Sequence, residues 1–90
     1  MKKLKFGTPV SVEWHDSIAR EGWHYDPSVR RLVAKLRSIG YVVQDDKEGL
    51  TITTSLGSRQ ESMDDLTIPK GAIQGIEVLP EEFNYNGPER

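Results

Sequence analysis

The 90-residue chain contains no cysteine, which excludes disulfides, thiolate metal sites and cysteine nucleophiles together. That absence suits a reducing compartment. Long apolar runs are missing too, and none approaches the roughly 20 residues of a membrane span. The basic start Met1-Lys2-Lys3-Leu4-Lys5-Phe6 runs straight into Gly7-Thr8-Pro9, without the apolar core of about 7–15 residues that a signal peptide needs. These absences lead to the expectation of a cytoplasmic protein that does not enter a membrane. Ninety residues make one domain with a thin core, and self-association would offset that thinness, so a homo-oligomer is expected. The expected domain is residues 1–80, with residues 81–90 a flexible acidic tail.

Charge is nearly balanced, at −2, but unevenly placed. Residues 1–38 carry eight basic and four acidic side chains, whereas residues 39–90 carry four basic and ten acidic ones. A basic half of this kind attracts phosphates, or it simply solvates one helix face. Aromatic residues are few, yet both tryptophans and both histidines fall between Trp14 and Tyr25. Aromatic rings with polar edges are favoured for gripping ligands and partners, so this window is the candidate working surface.

Along the chain, Val10, Val12 and Trp14 alternate with Ser11, Glu13 and His15, which predicts a first strand with Trp14 facing the core and His15 facing out. Asp26-Pro27 reads as a helix start, Val29, Leu32, Val33 and Leu36 form a stripe at helical spacing, and Gly40 reads as the cap that ends the helix. Tyr41–Gln44 predicts a short strand, followed by a turn over Asp45–Gly49. Leu50, Ile52, Thr54 and Leu56 then alternate along another strand, with Thr51, Thr53 and Asp64 as polar edge positions. Leu66 and Ile68 belong to a strand stopped at Pro69-Lys70-Gly71, and residues 72–79 resume extended structure. The resulting expectation is a mainly β (α+β) fold, a small five-stranded antiparallel barrel with one amphipathic helix inserted between strands 1 and 2.

The stretch Leu66-Thr67-Ile68-Pro69-Lys70-Gly71-Ala72-Ile73-Gln74-Gly75-Ile76 resembles the strand, single-turn, strand closure of Sm-like and Src-homology-type barrels. Val12-Glu13-Trp14-His15-Asp16-Ser17 with Gly22-Trp23, then Gly40-Tyr41-Val42-Val43, then Ile68-Pro69-Lys70-Gly71-Ala72-Ile73 together resemble small uncharacterised proteins of bacteriophages and prophages. The resemblance covers residues 10–79 loosely. It implies a phage or prophage context within a bacterial host and brings no settled chemistry with it. The basic helix and the acidic tail of this chain depart from that group.

No catalytic residue, metal site or cofactor is assigned. His15-Asp16-Ser17 sit consecutively on a strand whose neighbours point to opposite faces, so they cannot align as a triad. His15 and His24 match no standard metal-ligand spacing. Lys70-Gly71 lacks the upstream glycines of a phosphate loop. The favoured reading is a non-enzymatic binding module that holds a nucleotide-like or nucleic-acid anion. Trp23, His24 and Tyr25 would supply stacking faces, and Arg20, Arg30, Arg31 and His15 the cationic or polar contacts. In a phage setting such a module would sequester a host signalling nucleotide. The alternative is an adaptor that uses the aromatic patch or the C-terminal tail to hold a host protein, and a small hydrolase is a third.

Overall fold

A computed structural model describes residues 3–17 and 33–87. Among these residues seven strands appear in chain order: β1 (Pro9–Ser17), β2 (Val33–Asp45), β3 (Gly49–Thr53), β4 (Ser55–Leu56), β5 (Ser62–Met63), β6 (Leu66–Pro69) and β7 (Ile73–Val78). Five of them form one antiparallel sheet in the order β6-β3-β2-β1-β7, and β4 and β5 make a separate two-stranded hairpin. Single 3-10 turns lie at Lys70–Ala72 and Glu81–Phe83. The mainly β, antiparallel expectation therefore holds.

Two finer expectations do not. The sheet is not closed into a barrel. Among the described ladders β6 pairs with β3, β7 pairs with β1, and these two end strands do not meet. Pro69 has no backbone N–H to donate, so it ends β6 after four residues and the 3-10 turn carries the chain to the opposite edge.

The helix expected up to Gly40 is a strand over residues 33–40, while its first half, residues 26–32, lies outside the described residues. The apolar stripe at helical spacing competed with a second pattern in the same residues, in which Leu36 alternates with Lys35 and Arg37 and β-branched Ile39, Val42 and Val43 follow. Pairing resolves that competition. As a strand this stretch forms a nine-residue ladder with β1, from Pro9↔Tyr41 to Ser17↔Val33, and tertiary pairing of this extent outweighs local helix propensity.

Gly40 thus has a different task from helix capping. A Cβ placed there would lie 2.6 Å from the backbone oxygen of Thr53, so the missing side chain lets β3 approach β2 where their ladder begins. Gly7 serves conformation instead, with φ of 86° in the turn closed by Thr8 N–H donating to the Lys5 carbonyl.

The core sits under the middle of the sheet. Val10, Val12, Val42, Leu50 and Ile68 are fully buried and Ile52 and Trp14 nearly so, with Leu4, Ala72, Ile73 and Ile76 packed around them. Trp14 therefore faces the core as its alternation with Val10 and Val12 predicts, and its indole N–H donates to Ser38 Oγ at 3.0 Å. Thr53 is not an edge position but is buried. Its hydroxyl donates to the Met63 carbonyl at 2.6 Å and accepts from Met63 N–H at 3.1 Å, fastening the β4–β5 hairpin to the end of β3.

At the other end of β2, the Asp45 side chain is only 4% exposed. It pairs with Lys70 and accepts from Leu4 N–H at 2.8 Å, tying the N-terminal segment and the β6–β7 corner to the sheet. Burial pushes this carboxyl upward, but Lys70 and the Leu4 N–H outweigh it and hold the carboxyl below its ordinary value. Asp46 is lowered as well, its carboxylate accepting from the Gly49 and Glu48 N–H groups across the β2–β3 turn. In the stretch expected as a tail, Tyr85 donates to the Gly57 carbonyl at 2.6 Å and meets Phe6 and Tyr41 edge-on.

Candidate functional site on the β1–β2 arm

β1 and β2 extend past the strands that flank them. The β7 ladder stops at Trp14↔Ile73 and the β3 ladder at Tyr41↔Thr53, whereas β1 and β2 stay paired to Ser17↔Val33. The outer part of the β1–β2 ladder, residues 11–17 with 33–39, therefore forms an arm: among the described residues β3 pairs with none of it, and β7 pairs with β1 only as far as Trp14.

The pleat sorts the arm's side chains. Ser11, Glu13 and His15 of β1 lie opposite Ile39, Arg37 and Lys35 of β2 and share a face with them, and Trp14 and Leu36 share the other. On the first face Arg37 forms an ion pair with Glu13 and donates to Ser11 Oγ at 3.2 Å. One position further out, His15 and Lys35 oppose each other, and neither has a carboxylate partner among the described residues. Lys35 is exposed and His15 half-buried. A cleft of about 380 Å³ lies here, lined by Glu13, Trp14, His15, Lys35, Leu36 and Arg37. That volume falls within the range of small-ligand sites.

Of the residues singled out in the sequence, only His15 is in view, and it stands at this cleft. Arg20, Trp23, His24, Tyr25, Arg30 and Arg31 lie outside the described residues. The chain that carries them joins Ser17 to Val33, the final pair of the arm. Lys35 and Arg37 were missed as site residues because the helical reading drew the site from the basic residues nearest the aromatic window and did not bring Lys35 opposite His15. The signal that identifies them is the polar–apolar–polar alternation of Lys35-Leu36-Arg37 running on into Val42-Val43.

The cleft offers cationic and hydrogen-bonding contacts beside an indole edge. Among the described residues, none of those lining the cleft carries a hydroxyl or thiol. Among the described residues no group of three or more His, Asp or Glu side chains is placed to hold a metal ion. No helix among them is long and apolar enough to cross a membrane. Comparison with protein family models, with curated proteins and with solved structures finds no match.

Proposed function

We propose that the chain is a non-enzymatic binding module whose β1–β2 arm holds an anionic, nucleotide-like or nucleic-acid ligand. The observation that carries this reading is the opposed pair His15 and Lys35, without a carboxylate partner among the described residues, at a cleft of ligand size. Arg37 contributes less, because Glu13 already neutralises much of its charge. Arg20, Trp23, His24, Tyr25, Arg30 and Arg31 belong to the sequence between Ser17 and Val33, the last pair of the arm, and lie outside the described residues. Phosphate held by cations with a base stacked on an aromatic ring is the recognition chemistry this residue set suits. The resemblance to small bacteriophage and prophage proteins supports a setting in which such a module sequesters a host signalling nucleotide.

Titration with a panel of mono-, di- and cyclic nucleotides and short single-stranded oligonucleotides, at low and at high salt, tests the reading. Affinity should fall as salt rises, as phosphate contacts require. Lys35→Glu should weaken binding on the order of tenfold, and Trp23→Ala should weaken it as well. Absence of binding across the panel at low salt overturns the proposal.

A further inference from the structure

The outer edge of β2 presents a second surface, distinct from the cleft. Val42 donates its N–H to the Thr8 carbonyl at 2.9 Å and accepts from Gly7 N–H at 2.7 Å, so its backbone polar groups point toward the β1 side of the strand. Alternation along an antiparallel strand sends those of Gly40, Ser38 and Leu36 the same way and those of Lys35, Arg37 and Ile39 to the opposite side. β3 occupies that opposite side only as far as Tyr41↔Thr53. There the Thr53 hydroxyl bonds turn the chain into the β4–β5 hairpin, and β3 leaves the edge. From Lys35 to Ile39 the edge has no backbone partner among the described residues.

The space that β3 vacates is a cleft of about 290 Å³, with Ile39, Ile52 and Leu66 among its apolar lining. Ile39 is 60% exposed, high for an isoleucine in a strand. Charge along the edge is polarised. Lys35 and Arg37 stand at the outer end, and Asp64 lines the cleft at the inner end.

We propose that this edge receives an extended strand of a partner polypeptide, which adds to the sheet antiparallel to β2. Backbone hydrogen bonds to Lys35, Arg37 and Ile39 would hold it, the general mode by which an exposed sheet edge captures a peptide. The charge polarity specifies the occupant further. It places an apolar side chain in the Ile39–Leu66 cleft, keeps acidic residues away from Asp64, and sets an acidic residue near its C-terminal end beside Lys35. This site shares the Lys35 side chain with the anion cleft but is otherwise defined by the backbone edge of β2 and by Ile39.

The test uses ¹⁵N-labelled protein and the peptide acetyl-Ser-Val-Thr-Val-Thr-Glu-amide. Saturable shifts and slowed amide exchange at Lys35, Arg37 and Ile39 are expected. Of two peptides N-methylated on alternate residues, one should lose binding and the other keep it, because only one set of peptide amides can face β2. Ile39→Glu, a change at an exposed position, should weaken binding on the order of tenfold with the amide spectrum otherwise retained. A peptide with Lys in place of Glu should bind poorly to the native protein and regain affinity for Lys35→Glu. Absence of saturable shifts at these amides up to millimolar peptide, equal binding of both methylated peptides, or shifts confined to the other face of the arm would overturn the proposal. So would concentration-dependent protection of the same amides without peptide, since the edge would then be filled by a second copy.

Discussion

At Val10 and Val12, β1 lies between β2 and β7, and both side chains are fully buried; from His15 to Ser17 the same strand pairs, among the described residues, with β2 alone. β2 changes in the same way. Val42 is flanked by β3 and by the Lys5–Thr8 segment and is fully buried, while Leu36 and Ile39 are 37% and 60% exposed. Two continuous strands thus pass from a packed body into an arm with open edges. The body draws its stability from apolar burial, whereas among the described residues the arm is held by its own ladder, the Trp14–Ser38 and Arg37–Ser11 hydrogen bonds and one exposed ion pair. Such an arm suits recognition because its backbone groups and charges remain available for a ligand, at the cost of local stability.

The largest expected effect lies in the body. Leu50→Ala removes a fully buried side chain and should cost about 2–5 kcal/mol in chemical denaturation. A loss below about 1 kcal/mol would mean that the body is no better packed than the arm, and the contrast would fail. At the boundary, Gly40→Ala forces a Cβ against the Thr53 carbonyl, and about 1–3 kcal/mol should be lost. The same variant should speed amide exchange at the β2–β3 junction, which would not follow if Gly40 served a conformational role.

Asp45→Asn comes next, at about 1–2 kcal/mol, a value kept low because Lys70 is 35% exposed and can turn to water. The sign with pH follows from the lowered carboxyl. Its stabilising contribution is complete above the ordinary value of 3.8 and is lost as pH falls through the still lower folded value. The native protein should therefore weaken on acidification more steeply than Asp45→Asn, and parallel stability curves between about pH 5 and 2 would remove the ion pair from the account. Smallest is the arm. Leu36→Ala should cost less than about 1 kcal/mol, because Leu36 is already more than a third exposed, and arm amides should exchange faster than those of Val10, Val12 and Val42. Equal protection in both regions would show that the arm is not the weaker part.

Strand periodicity was legible where one face is buried. Val10, Val12 and Trp14, then Leu50 and Ile52, then Ile68 alternate in sequence and are buried in the structure. Pro69-Lys70-Gly71 announced the 3-10 corner between β6 and β7 because proline cannot donate to a ladder. The stretch from Val33 to Gly40 was misread because its residues satisfy two periods at once, and the choice between them depends on partner residues in β1 that lie 16 to 30 positions earlier in the chain. Gly40 was legible as a residue that must be glycine, yet its reason is a carbonyl of β3 that local sequence does not show. Of the candidate site, His15 facing outward was read correctly from alternation, but its neighbour Lys35 was not, since cross-strand pairing brings together residues twenty positions apart.

Composition and pattern by themselves determined a small, cysteine-free, mainly β chain with Trp14 in its core and its aromatic and histidine residues gathered in one window. These properties depend on residue type and on neighbours one or two positions away, which the sequence states directly. Tertiary structure decided that the sheet stays open, that β2 is one thirteen-residue strand, and that β3 departs at Thr53 to leave an edge beside Ile39 with no partner among the described residues. Those outcomes depend on which distant backbones pair, because a strand's hydrogen bonds are satisfied by its neighbours and not by its own residues.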